Sequence, residues 1–504
     1  MIRTMEEFVR MFKAARRVST PLVAVRTADP ASTIQTIQET LNAKAKKTAI
    51  LHWDVMRGLL GLNDEGKQAA SAVLNGGEAD VVSTRPSDAL GFVAKLDEDA
   101  IVFFANGQEF YNDPTVVQAI WNLRDPFKAN RRMLVILTTP GATLPSVLSE
   151  DVLVLDEPLP SAEDLARIVT ETYAAAEISE PEPEQVQKVV DALLGLAAFP
   201  AEQALAMSLN KTGLDHSGLW ERKRQAIELT PGLKVWRGAE SFDEIGGVEN
   251  VKKFLRALLV GSEPARVVVF IDEIEKAFAG TGTDLSGVKT EMTGTMLTWM
   301  QDRDADGCIF IGPPGAAKSA VAKATGNAGG IPTISFDLGA MQSSLVGASG
   351  DRLRSALKVV DAVSQGRTLF IATCNSITSL PPELRRRFTL GTFFFDLPSA
   401  EERAAIWKIY TKKYDVDGEP PEDGGWTGAE IRTCSRLASR LKTSLVDASR
   451  YIVPVSKSAA EEIRRLRTQA SGKFISASKP GLYVYSEDAA EPKGSRRAIQ
   501  VAEA

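Results

Sequence analysis

Five short runs of β-branched and aromatic residues recur early in the chain, at 21–27 (PLVAVRT), 48–53 (TAILHW), 100–106 (AIVFFAN), 133–139 (MLVILTT) and 152–158 (VLVLDEP). The stretches between them are long enough for helices, so the pattern predicts a five-strand α/β domain. From Ser161 to about Leu229 the strand signal stops. Helical periodicity replaces it, as in EDLARIVTETYAAA and EQVQKVVDALLGLAA, which predicts an appended helical subdomain. After a break at Thr230-Pro231-Gly232 the plan repeats, with strand-like runs at 267–271 (VVVFI), 307–311 (GCIFI), 332–336 (PTISF), 368–373 (TLFIAT) and 392–395 (TFFF). Helices follow from about Ala400. The pentapeptide LPSAE occurs at 159–163 and again at 397–401, each time after a strand-like run and before a helix, which favours two related domains. The expected division is 1–229 for a first α/β domain with its helical subdomain, 230–241 for a linker, 242–399 for a second α/β core, 400–484 for a helical lid and 485–504 for a disordered tail.

Composition adds mainly exclusions. The 504 residues are 44% hydrophobic and 25% charged, an ordinary globular balance. Fifty-nine Lys and Arg against 65 Asp and Glu give a net charge of −6, which exerts no global pull toward nucleic acid or anionic lipid. The clusters KAKK (44–47) and RRLR (464–467) are short and lack interleaved aromatics, so a nucleic-acid partner is not expected. Cys308, Cys374 and Cys434 are scattered and odd in number, which suits a reducing compartment. His52 and His216 are too few for a His-based metal site. Glu6 and Glu7 stand where a signal peptide needs its apolar stretch, and no apolar run approaches 18 residues. A cytoplasmic protein without a membrane partner is expected.

The candidate chemistry lies in the second half. Gly312-Pro313-Pro314-Gly315-Ala316-Ala317-Lys318-Ser319-Ala320 follows the strand-like CIFI and opens a helix-like run, the setting of a phosphate-binding loop. Backbone N–H groups at a helix N-terminus would curl around phosphates, Lys318 would neutralise β and γ oxygens, and the Ser319 hydroxyl would ligate Mg²⁺. Ala317 replaces the usual Gly; if that position demands a positive φ, its Cβ costs about 1 kcal/mol. The run VVVFI ends in Asp272-Glu273. Two acids at a strand end can hold a metal through water and polarise an attacking water, although many strands end in exposed acids. Asn375 follows TLFIATC, and Arg386 and Arg387 end the segment PPELRRR, which alone could be a solvated turn.

Taken together these motifs resemble those of AAA+ ATPases. The resemblance implies a P-loop α/β fold with a helical lid, ATP and Mg²⁺ as cofactors, and Asp272 with Ser319 at the metal. It also implies Glu273 and Asn375 as catalytic groups and Arg387, with Arg386 second, as an arginine finger reaching a neighbouring subunit. A ring homo-oligomer, expected to be a hexamer, would then remodel a protein substrate. Phe242-Asp243-Glu244-Ile245-Gly246-Gly247 is similar to the motif that opens the core AAA domain, and Trp426-Thr427-Gly428-Ala429-Glu430-Ile431 to the start of its lid helix. Leu345-Val346-Gly347 sits where a pore loop usually begins with an aromatic residue, which weakens the case for threading.

One feature conflicts with the usual order: Asp272 lies 46 residues ahead of Lys318 (318 − 272), whereas in this family the P-loop comes first. Moving the acid-bearing strand and its helix ahead of the P-loop strand can leave the sheet order five, one, four, three, two intact. No crossover then changes hand. In the first half, Ala105 and Asn106 align with Asp272 and Glu273, and no Gly-Lys-Ser follows PLVAVRT. The first domain thus resembles the inactive leading module of chloroplast and cyanobacterial two-domain AAA proteins, the alternative being an unrelated α/β binding domain. Competing functional readings are a nucleotide-gated scaffold with little turnover and a nucleic-acid-associated motor.

Overall fold

The computed structural model describes residues 4–42, 48–74, 83–97, 99–179, 181–210, 213–278, 288–341, 348–377 and 382–486. Leu345-Val346-Gly347 and the end of the chain from 487 onward lie outside the described residues. Two compact units emerge: Met1–Val235 with Asp284–Trp299 and Asp337–Gly366, and Trp236–Thr283 with Met300–Phe336 and Arg367–Ala504.

The first unit is built on strands β1 (Leu22–Arg26), β2 (Ala49–Asp54), β3 (Gly58–Gly61), β4 (Ala100–Phe104), β5 (Met133–Thr138) and β6 (Leu153–Asp156). They lie in the order β3-β2-β4-β5-β1-β6, all parallel except the β2–β3 hairpin. Successive side chains alternate between two cores, which explains why these runs read as continuously apolar. Leu51, Trp53, Val102 and Phe104 pack on one face, with Trp53 stacked on Phe104 at 4.3 Å. Ile50, Ile101, Phe103 and Val135 meet Phe8 and Phe12 on the other. β3 was not among the expected five strands; Asp54 makes its turn by accepting the N–H groups of Met56 and Arg57 at 2.9 and 2.8 Å. Four helices, Ala162–Ala175, Pro183–Leu193, Ala198–Ala206 and His216–Glu228, then close around Leu165, Val169, Leu193, Leu205 and Leu219.

The second unit carries β7 (Val267–Ile271), β8 (Asp306–Ile311), β9 (Thr333–Phe336), β10 (Thr368–Cys374), β11 (Thr392–Phe394) and β12 (Ile475–Ser476). They run β12-β11-β8-β10-β7-β9, all parallel. Five strands of each sheet share one spatial plan: β6-β1-β5-β4-β2 in the first unit and β11-β8-β10-β7-β9 in the second. The only difference is connectivity, since β7 occupies the place of β4 yet is encoded before β8, which occupies the place of β1. The sheet order is the one expected for a relocated acid-bearing strand.

The repeated LPSAE is a helix start in both units. Ser161 caps Ala162–Ala175 in a capping box with Asp164, and Ser399 caps Ala400–Tyr414 in one with Glu402. Helices Ala400–Tyr414, Gly428–Leu441 and Leu445–Ser449 pack around Ile406, Trp407, Trp426, Ile431 and Leu445. Among the described residues no helix is long and apolar enough to cross a membrane.

Candidate nucleotide site

β8 ends at Ile311, the loop 312–317 turns, and helix Lys318–Gly329 begins. The loop needs left-handed backbone at two positions, Gly315 (φ +80°) and Ala317 (φ +68°). The condition under which Ala317 costs about 1 kcal/mol is therefore met. Two of the glycines are required by close packing. A Cβ on Gly312 would lie 2.1 Å from the Phe395 carbonyl oxygen, and one on Gly315 would lie 2.9 Å from Thr427 Oγ1. Thr427 caps the lid helix Gly428–Leu441 in a capping box with Glu430, so the start of that helix rests directly on the loop.

Lys318 is buried and donates to the carbonyls of Gly312 and Pro313 at 2.7 and 2.8 Å. Burial pulls its ammonium down to about 8, against the opposing influence of Glu275, Asp272 and Glu273. Ser319 Oγ donates to Asp272 Oδ1 at 2.8 Å, joining residues 47 apart in the chain. Asp272 Oδ1 accepts a second hydroxyl, Thr373 Oγ1, at 2.6 Å, and Thr373 Oγ1 accepts the Glu273 N–H at 2.9 Å. Asn375 Nδ2 donates to Glu273 Oε1 at 3.2 Å, while its N–H donates to Glu275 Oε1 at 2.9 Å. Glu273 is also paired with Lys276.

Asp272, Glu273, Lys318, Ser319, Thr373 and Asn375 line one cavity of about 680 Å³, together with loop residues Pro314 to Ala317 and Ala320. Its lining also includes Ile245 and Gly246, Ile406 and Tyr410, and the lid residues Ala429, Arg432 and Arg436. An ammonium, a hydroxyl and two carboxylates in one cavity, with the apolar Ile245, Ile406 and Ala429 and the cationic Arg432 and Arg436 also in its lining, fit a magnesium triphosphate and its base. Arg386 and Arg387 do not line this cavity; they end helix Pro382–Arg387, Arg386 exposed and Arg387 donating to Gln301 Oε1 at 2.7 Å. Sequence reasoning missed Thr373 and Glu275. Glu275 had a signal, as the third acid of Asp-Glu-Ile-Glu; Thr373 had only its place two residues before Asn375.

A parallel sheet with a glycine-containing loop between a central strand and a helix, and acids at the end of a nearby strand, defines a P-loop nucleotide-binding fold. Residues 4–157 match the SpoVK-like AAA ATPase N-terminal domain, residues 163–230 the SpoVK-like AAA ATPase second domain, and residues 308–365 the ATPase family associated with various cellular activities (AAA). The chain is thus a two-domain protein of the AAA+ type. The AAA match begins on β8 and leaves out β7, as it must for a strand encoded ahead of the P-loop. The uncharacterized AAA domain-containing protein ycf46 of Guillardia theta is 22% identical over 538 residues, covering 94% of this chain and 96% of its own length. That of Gracilaria tenuistipitata var. liui is 26% identical over 434 residues, with 76% and 79% covered. That of Pyropia yezoensis is 20% identical with 89% of each chain covered.

Proposed function

We propose that the second unit is a Mg²⁺-dependent ATP hydrolase that works in a homo-oligomeric ring, a hexamer being expected, and remodels a protein or protein complex. The observation that supports this most directly is the 2.8 Å contact between Ser319 and Asp272, which brings the two metal-binding candidates together beside Lys318 despite their reversed order in the chain. Bound Mg²⁺ would supply charge neutralisation to the β- and γ-phosphate oxygens. Ser319 and Asp272 would hold it, Asp272 through water. Lys318 and the backbone N–H groups of the loop would orient the phosphates. Glu273 would align and polarise the attacking water, and Asn375 would fix the Glu273 carboxylate by the bond it already makes. Arg387, with Arg386 as second candidate, would act on the nucleotide of a neighbouring subunit. The three free, buried cysteines suit action in the reducing cytoplasm.

The experiment is ATP hydrolysis by the wild type and by Glu273→Gln, with oligomer mass measured in each. Loss of turnover with retained ATP binding and ATP-dependent assembly supports the reading. The pairing of Glu273 with Lys276 favours a second one, a nucleotide-gated scaffold with little turnover, because a carboxylate engaged by an ammonium is less free to orient a water. Equal rates in wild type and Glu273→Gln would select the scaffold.

A further inference from the structure

Thr373 is the one hydroxyl at the C-terminal end of β10, a strand otherwise apolar from Leu369 to Ala372, and it is 1% exposed. A hydroxyl so deeply buried must find partners within the protein. The parallel register pairs Ile271 with Ala372, so Thr373 falls level with the first residue after β7, Asp272. On its other side Thr373 pairs with Phe310 of the P-loop strand. It therefore stands between the two segments that must cooperate at the phosphates.

Its single proton and one of its lone pairs are committed. The proton goes to Asp272 Oδ1 at 2.6 Å, the length of a hydroxyl–carboxylate bond, and the oxygen accepts the Glu273 N–H at 2.9 Å. That amide belongs to a residue in left-handed backbone, φ +48°, which glutamate adopts only when its surroundings hold it there. We infer that Thr373 is a positioning residue of the nucleotide site, one hydroxyl fixing the carboxylate of Asp272 and the backbone of Glu273 together. This rests on the ATP-hydrolase reading for its purpose, though not for its geometry. Asp272 Oδ1 has two hydroxyl donors, Ser319 and Thr373. If Ser319 turns to the metal, Thr373 is the donor that keeps Asp272 aimed.

The test compares Thr373→Val, nearly isosteric but without the hydroxyl, with Thr373→Ser, which restores it. The valine variant is expected to lose at least tenfold in kcat with KM within about twofold. Its Mg²⁺ requirement for half-maximal binding of a fluorescent ATP analogue should rise severalfold, while binding of the analogue in EDTA stays unchanged. In nucleotide-free protein the Glu273 amide should exchange with deuterium at least tenfold faster. The serine variant should return all of these toward wild type. Unchanged Mg²⁺ requirement and unchanged amide protection in the valine variant would overturn the inference, as would a serine variant as impaired as valine, since packing of the methyl would then be the role. Thr373→Ala replaces valine on the same readouts should the latter not fold. A wild type that binds but does not hydrolyse ATP sinks the hydrolase reading alone, because Mg²⁺-dependent binding and amide exchange need no turnover.

Discussion

Asn106 and Glu273 hold the same backbone conformation at the same place in the two sheets. Each is the second residue past its strand, β4 or β7, and each is left-handed, with φ of +51° and +48°. The turn has been kept in both units while its chemistry has not: asparagine tolerates this conformation well, glutamate poorly. Glu273 thus occupies a position where asparagine is the conformationally easier residue. Replacing Glu273 by Asn, the residue of the first unit, is expected to leave the thermal midpoint unchanged or slightly raised. ATP turnover should fall by at least a hundredfold with nucleotide binding retained. A destabilised Glu273→Asn protein, measured by thermal unfolding, would contradict the assignment of strain to this turn.

Ala317 carries a similar strain, and here two effects compete. Glycine at φ +68° relieves about 1 kcal/mol, but it also loosens the unfolded chain by roughly 0.4–1 kcal/mol. These nearly cancel. Ala317→Gly should shift neither the thermal midpoint by more than a degree or two nor ATP affinity by more than about twofold. Ala317→Val, β-branched at the same φ, should lower both clearly. Nucleotide titration and thermal unfolding of the two variants check the pair.

Lys318 gives the site a pH dependence whose sign is fixed. Its ammonium titrates near 8 in the nucleotide-free protein, below the ordinary lysine value because it is buried. Phosphates bind the protonated form. Affinity should therefore be flat below pH 7 and weaken by about tenfold between pH 7 and pH 9, as expected for a group of that pKa. Folding stability moves the other way: a lysine with a depressed folded pKa favours the folded state more as pH rises from 8 toward its unfolded value. ATP titrations across this range check the first, and Lys318→Met should abolish the trend.

Much of this molecule is legible in its sequence because strands buried on both faces announce themselves as short apolar runs. All ten expected runs are strands. The Asp272-Glu273 pair could be singled out as a candidate despite its displaced position because adjacent acids at a strand end carry a chemical meaning independent of chain order. What stayed hidden is short or non-local. β3 is Gly-Leu-Leu-Gly, four residues made a strand by the Asp54 turn, and β12 has two residues held by pairing with β11. Thr373 becomes meaningful only once the register sets it beside Asp272. The spatial role of LPSAE was readable as a repeat, but its cause, a serine cap with an acid three residues on, emerged from the geometry.

Those two caps differ in a way that can be measured. In the first unit Asp164 accepts from Ser161, through the N–H at 3.0 Å and the hydroxyl at 2.7 Å, and is ion-paired with Arg167 at 4.0 Å, near the surface. In the second, Glu402 Oε2 accepts the Ser399 N–H at 2.9 Å and Oε1 accepts the Val248 N–H at 3.0 Å. Val248 is a β-branched residue at φ +53°, in the turn that follows Ile245-Gly246-Gly247. Burial pushes the Glu402 carboxyl up, and hydrogen bonds from Ser478, Ser399 and Val248 outweigh that and hold it below its usual range. Removing Asp164 should cost about 1 kcal/mol, the ordinary value for a cap. Glu402→Ala should cost about 2–3 kcal/mol, since it also leaves the Val248 amide without its acceptor. The Glu402 contribution is present at neutral pH and fades as acid protonates the carboxylate below its usual pKa. Hydrogen exchange at the Val248 amide reads the difference directly: it should accelerate in Glu402→Ala and be unaffected in Asp164→Ala. Equal losses of stability in the two variants would mean that the left-handed turn before helix Glu249–Leu259 is held by its own packing and not by Glu402.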